Sequence, residues 1–178
     1  MTTEPSPAVD PLAFRKALGQ FPTGVCVVTS TVDGERIGMT MSSFNSVSLD
    51  PPLVLFSIDR HAASLPLWQK ANSYAINILS ENQKDISSRF AKPRSHKWEA
   101  VQLASQGTGA PVLPGVAAVF ECVPSAKHEA GDHMLFVAEV KRFAAFADRK
   151  PLVFSQGNYA SLQRTDVPAP LWPLDLHY

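Results

Sequence analysis

Apolar residues in this chain come in short, dense blocks separated by turn residues, and the spacing inside most blocks is that of strands. Val25 to Val32 is β-branched and apolar, Asp33-Gly34 interrupts it, and Arg36 to Thr40 resumes; this pattern predicts a hairpin with a tight turn. Leu53 to Ile58 and Tyr74 to Leu79 read as two further buried strands. Val116 to Lys127 and Met134 to Phe143 form two long strand candidates around a turn at Gly131-Asp132. In the second, Met134, Phe136, Ala138 and Val140 alternate with Leu135, Val137 and Glu139. Both sets are apolar early on, so one end of that strand is expected to be covered on both faces.

Helical signals are fewer and shorter. Asp10-Pro11 supplies an N-cap and a proline at the first helical position, Leu12, Phe14, Ala17 and Leu18 share a face, and Gly19 ends the pattern. Residues 61 to 71 read as a short helix. Ser80 and Gln83 have capping-box spacing before a helix that runs to about Phe90. Residues 91 to 115, with Gly107, Gly109, Pro111, Pro114 and Gly115, lack periodicity and predict a long excursion. Residues 1–9 read as a disordered lead. Residues 163–178 form a proline-rich tail whose Leu171, Trp172, Leu174 and Leu176 pack either on their own domain or on a neighbouring subunit. Six or seven strands, several in hairpins, with three short helices predict a mainly β domain over 10–162. The expected form is an antiparallel barrel, since a doubly wound sheet would alternate strands with longer helices.

Composition narrows the function classes. Lys+Arg and Asp+Glu balance at 16 each, without the basic excess of a nucleic-acid binder. Cys26 and Cys122, the two cysteines, both sit in apolar strand-like runs and read as buried free thiols. The N-terminus shows no apolar signal region, and no apolar run approaches a membrane span, so the chain reads as cytosolic and soluble.

No known catalytic motif is complete. A phosphate loop is missing, Gly107-Thr108-Gly109 has the wrong sequel for one, and the histidines at 61, 96, 128, 133 and 177 show no metal-ligand spacing. Three features carry candidate chemistry. Between Thr40 and Ser57 the chain places Thr40, Ser42, Ser43, Ser46, Ser48, Ser57 and Asn45. Such neutral donors suit either an oxygen-rich ligand or a solvated bend. Ser88-Arg89-Phe90 offers a phosphate clamp beside an aromatic face, or a helix-end arginine favoured by the dipole. His133 follows the Gly131-Asp132 turn, where it is either a rim residue facing a ligand or a surface histidine. Lys92, Arg94 and Lys97 read as decoration of an exposed loop.

Taken in order, several stretches resemble the flavin reductase family. They are Phe21-Pro22-Thr23-Gly24-Val25, Gly38-Met39-Thr40 with Ser43-Phe44, Ser46-Val47-Ser48-Leu49-Asp50-Pro51-Pro52-Leu53-Val54, Tyr74-Ala75-Ile76-Asn77-Ile78-Leu79, Gly131-Asp132-His133 and Gly157-Asn158-Tyr159. The resemblance spans about residues 10 to 162. It implies an FMN-binding split barrel, a Greek-key-type antiparallel barrel with a few peripheral helices, usually a homodimer. It also implies reduction of FMN or FAD by NADH or NADPH, with hydride passing from nicotinamide C4 to flavin N5, and delivery of reduced flavin to a separate monooxygenase. By position, Thr40, Met41, Ser42, Ser43 and Phe44 would border the isoalloxazine and ribityl groups, with Ser46 adding a polar contact. Ser57, Ile58, Asp59 and Ser64 would lie near the ribityl-phosphate end. Arg89 and Phe90 would flank the phosphate, while His133 and Tyr159 would face the nicotinamide nucleotide. Relatives often carry Ala-Asn where this chain has Met41-Ser42. The rival readings are a non-catalytic flavin- or haem-binding split-barrel sensor or carrier, and an oxidase of the pyridoxamine-phosphate type, which would need a basic cluster.

Overall fold

The structure, a computed structural model, describes residues 9–92, 96–104 and 107–163. Helix α1 spans Pro11–Leu18, with the Asp10 carboxylate accepting from the N–H groups of Leu12 and Ala13 as its sequence signal predicts. The predicted hairpin is β2 (Cys26–Val32) and β3 (Glu35–Met41). Asp33 and Gly34 both take positive φ, 51° and 82°, which is what a two-residue turn matched to strand twist demands.

The remaining large-sheet strands are β4 (Asn45–Leu49), β5 (Pro52–Asp59), β6 (Tyr74–Ile78), β7 (Ala118–Ala130) and β8 (His133–Ala145). They form one antiparallel sheet in the order β3-β2-β6-β7-β8-β5-β4. A second sheet joins the short strands β1 (Thr23–Gly24), β9 (Val153–Ser155) and β10 (Asn158–Ala160). One buried cluster collects Val28, Ile37, Met41, Phe56, Ile76, Cys122 and Phe136 from six of the seven strands, so the large sheet curls around a common interior. Phe56 and Phe136 stack there at 5.1 Å and nearly parallel, with Tyr74 edge-on to both.

The curled sheet has a seam. Its two edge strands, β3 and β4, are consecutive in the chain and joined by residues 42–44. There the Ser43 hydroxyl accepts from Ser57 N–H (3.0 Å) and lies 3.2 Å from Ser57 C=O, extending β5's bonding by one side chain. Strand β4 was not predicted, because its alternation is polar and its residues lie mostly exposed.

Strands β2 and β6 are buried on both faces. The outer face holds Val25, Val27, Ala75 and Leu79, covered by Phe90, Ala110, Val112, Leu113 and Leu152. The excursion without periodicity is therefore a lid on the barrel wall. Two buried polar residues fix it: Thr29 Oγ1 donates to Pro111 C=O, and the Asn77 side chain accepts from Leu113 N–H (2.8 Å) while donating to Val27 C=O (3.0 Å). Gly107 and Thr108 N–H both donate to Glu121 on β7 at 2.8 Å, so that loop's amides hold a carboxylate of the protein itself.

Two helices differ from expectation. Helix α2 spans only Leu65–Lys70, since the Asp59 carboxylate accepts from His61 N–H (2.7 Å) and holds the preceding residues in a turn. Helix α3 spans Lys84–Phe90 with Gln83 as its N-cap. Only half of the capping box forms: Gln83 Oε1 accepts from Ser80 N–H, with no return bond from Ser80. Cys26 and Cys122 are buried free thiols, each pushed up to about 12 by burial. No helix among the described residues is long and apolar enough to cross a membrane. The expected lead (but for Val9) and the tail beyond Gln163 lie outside the described residues.

Replacing Asn77 by Ala leaves Leu113 N–H and Val27 C=O without their buried partner. The expected cost is about 2–4 kcal/mol, read as a lower urea midpoint; an unchanged midpoint would remove Asn77 from this role.

Candidate functional site

The β2–β3 turn decides what the edge of β3 presents. Val32 and Glu35 flank a two-residue turn and exchange backbone hydrogen bonds, so Ile37, Met39 and Met41 also bond to β2. Arg36, Gly38 and Thr40 consequently turn their N–H and C=O groups to the free edge. Their side chains share the outer face, while Met41 packs inside the barrel. Along that edge runs a cleft of about 530 Å³, walled by β3, by Ala62 to Ser64 after β5, and by Phe90, Lys97 and Trp98.

Close packing shapes the cleft. A Cβ on Gly38 would lie 2.7 Å from the Phe90 ring and 3.1 Å from Trp98, so only glycine lets these rings approach the strand. Phe90 and Trp98 meet edge to face at 4.9 Å. The Trp98 indole N–H is buried without a partner among the described residues. Lys97 Nζ donates to Gly38 C=O at 3.0 Å and sits 5.9 Å from the centre of the Phe90 ring. Burial lowers the pKa of this ammonium. Ser64 Oγ accepts from Trp68 Nε1 (3.2 Å), which leaves its own proton available to a ligand.

A second cleft of about 660 Å³ lies at the other end of β3, between α1, Phe21, Ser42 and the β9–β10 turn. A hydrogen-bonded bridge lies between Thr40 on the first cleft and the small sheet. Thr40 Oγ1 donates to Ser87 C=O (2.7 Å), and Tyr159 Oη donates to Ser87 Oγ (2.8 Å).

The structure sorts the expected site residues accordingly. Thr40, Ser64 and Phe90 come together at the first cleft, and Ser42 lines the second. Ser43 and Ser57 bond each other at the seam. The side chains of Met41 and Ile58 lie in the core, and Ser46 is exposed on β4. Phe44 stacks on Phe120 at 5.6 Å. Arg89 donates to Glu99 C=O and helps hold the lid. His133 pairs with Asp59 across β8 and β5, with its Nδ1 2.7 Å from Asp132. The Asp59 carboxyl is held below its ordinary value of 3.8, first by the bond from His61 N–H; that of Asp132 is lowered chiefly by its bond to His133.

Sequence reasoning missed Gly38 as a packing position and Lys97 as a cleft residue. Lys97 is half-buried and turned inward, which corrects its assignment to an exposed loop; its neighbour Arg94 lies outside the described residues. The sequence signal was the adjacent Trp98, an aromatic that an exposed loop does not need.

An aromatic wall, an unpaired strand edge, hydroxyls and a cation together fit a ligand with a flat heteroaromatic ring, a polyol and an anionic end. Comparison with known proteins agrees with that chemistry. Residues 18–163 match the flavin reductase like domain. The chain is 45% identical over 152 residues to the NADH-dependent FMN reductase SmoA of Agrobacterium fabrum, covering 85% of this chain and 86% of that one. It is 40% identical over 163 residues to an NADH-dependent flavin reductase of a Rhodococcus species, covering 90% and 91%. The crystal structure of a nitrilotriacetate monooxygenase component B homologue from Mycobacterium thermoresistibile superimposes with a TM-score of 0.87 at 31% identity, covering 94% of each chain. This chain belongs to the flavin reductase family.

Gly38→Ala should push Phe90 and Trp98 off β3, costing about 1–3 kcal/mol of stability; an unchanged urea midpoint would contradict the packing described. The Asp59 and Asp132 carboxylates have depressed folded values, so the order they give their turns is complete above the ordinary 3.8 and is lost as pH falls through those lower values. Carboxyl NMR should therefore show both titrating with midpoints below 3.8.

Proposed function

We propose that this chain catalyses reduction of a flavin by NADH, with the flavin held along the free edge of β3 and the nicotinamide approaching from the His133 rim. The observation that carries this reading is the cleft itself: the strand-edge backbone groups of Arg36, Gly38 and Thr40, which no neighbouring strand pairs, face aromatic rings and a lysine, in a chain of the flavin reductase family. Bound flavin supplies the chemistry by accepting a hydride from the nicotinamide. The protein's task is orientation. Strand-edge N–H groups fix the heteroaromatic edge, Thr40 and Ser64 offer hydroxyls to the polyol, and Phe90 with Trp98 limits water on one side. No acid–base pair is needed, because two rings held at near-attack distance react without one. This accounts for the absence of a conventional catalytic constellation in the sequence.

The same reading assigns His133 to nicotinamide positioning, with Asp132 fixing the ring through Nδ1. Tyr159 acts through Ser87 to hold α3 against Thr40. Two copies of the chain form the working unit. In support, α1 has no buried residue and leaves Leu12, Phe14 and Leu18 exposed, beside Phe21 at 74% exposure. The reduced flavin passes to a separate monooxygenase, the arrangement for which several relatives are named as reductase subunits.

Purified protein with NADH and excess FMN, FAD or riboflavin should consume the nicotinamide absorbance at 340 nm at many turnovers per second, and no turnover with any flavin would end this reading. His133→Ala should raise the KM for NADH several-fold before it weakens flavin binding. Lost flavin affinity with unchanged nicotinamide kinetics would sink the His133 assignment.

A further inference from the structure

The second cleft, at the Ser42 end of β3, has an apolar rim that nothing among the described residues covers. Leu12 is 63% exposed and Leu18 58%, and Phe21 and Phe154 stand beside them. Arg15 and Lys16 also line the cleft, and no acidic residue does. Among the described residues no carboxylate lies within 4.0 Å of either cation. An apolar trough with uncompensated positive charge fits an occupant that carries several apolar side chains and an acid among them.

Residues 164–178 have that composition. Leu171, Trp172, Leu174 and Leu176 are set close together, and Asp175 falls between the last two. Position favours them as well. Strand β10 ends at Ala160, which pairs with Val153 on β9, and the Gln156–Gly157 turn joining these strands forms one wall of the cleft. Ala160 is therefore about 10 Å from that wall, three residues along a strand. Residues 164–170 can span up to about 20 Å, enough for Leu171 to Leu176 to return to the cleft of their own chain. So short a tether gives an effective concentration on the order of millimolar, which a segment of an unlinked molecule does not match. Pro168, Pro170 and Pro173 reduce the chain entropy that docking costs.

We propose that residues 171–176 seat in the second cleft of the same chain, with Trp172, Leu174 and Leu176 against Leu12, Leu18 and Phe21, and Asp175 facing Arg15 and Lys16. Phe14 is not among the residues of the cleft and stays open to a second copy. Phe154 links the docked segment to the rest of the fold. Its ring is edge-on to Tyr159 at 5.7 Å, and Tyr159 Oη donates to Ser87 Oγ beside Thr40. Docking thereby steadies the small sheet that braces α3. The inference does not depend on the reductase reading.

Disulfide trapping tests it in the full chain. Cys26 and Cys122 are buried, so Leu18→Cys with Leu174→Cys supplies the accessible pair. Under mild oxidation this pair should link within one chain at least about ten-fold faster than Glu35→Cys with Leu174→Cys, because Glu35 lies at the far end of β3. Adding Asp175→Lys should slow the linkage about five-fold at low salt, and Arg15→Glu with Lys16→Glu in that background should restore it. Thermal melting confirms that each variant is folded, and intact mass separates a link within one chain from a link between two. Equal rates at positions 18 and 35, or a rate indifferent to the charge reversal, would overturn the proposal. A link formed only between two chains would also overturn it and move the segment to the neighbouring copy; no link in folded protein would leave the cleft to an external ligand. None of these readouts involves NADH consumption, so the reductase reading stands or falls separately.

Discussion

The burial of β2 and β6 on both faces is the constraint from which the rest follows. A strand with apolar residues on both sides needs a second covering layer, and in this chain that layer is an irregular excursion with no repeating pattern to hold it. Asn77 supplies the hold. Its amide satisfies a lid N–H and a wall carbonyl together, in surroundings where either group left alone would be expensive. Because the lid is fixed there, its earlier part brings Lys97 and Trp98 over the edge of β3. The candidate site is thus a by-product of finishing the core.

Where the core dictated the residues, the sequence was easy to read. The β2–β3 hairpin, β5, β6 and the long β7–β8 pair follow from alternation and from turn residues with one conformational option. Strand β4 escaped because its neighbours are polar and half of its environment is solvent. The two- and three-residue strands β1, β9 and β10 escaped because pairing register, not local pattern, defines them. Helix α2 was overestimated because one side-chain bond, from His61 N–H to Asp59, outweighed four residues of helix-compatible sequence.

The site was legible in part for a related reason. The hydroxyl-rich segment marked the right stretch of chain, yet alternation then dispersed its members: Thr40 faces one cleft, Ser42 another, Met41 the interior, and Ser43 the seam. A motif lists neighbours along the chain, whereas a site needs neighbours on one face. Arg89 illustrates the point in charge: it had the right chemistry for a phosphate, but it donates to a lid carbonyl and lines hollows other than the cleft along β3. Lys97, from a stretch without any motif, lines that cleft instead.

The seam at Ser43 has a consequence for how the protein moves. Elsewhere neighbouring strands of the wall pair directly, with bulges in β4–β5 and β7–β8, but there the two sheet edges are linked by a short connection and one hydroxyl. Opening at that point breaks far fewer bonds than separating β2 from β6, so the free energy of local opening falls steeply from the centre of the wall toward residues 42–46. The free edge of β3 therefore spans a gradient of rigidity: anchored at Gly38 beneath Phe90, and increasingly compliant toward Ser42. A ring clamped firmly at one end and held loosely at the other can dock, react and leave without the barrel coming apart.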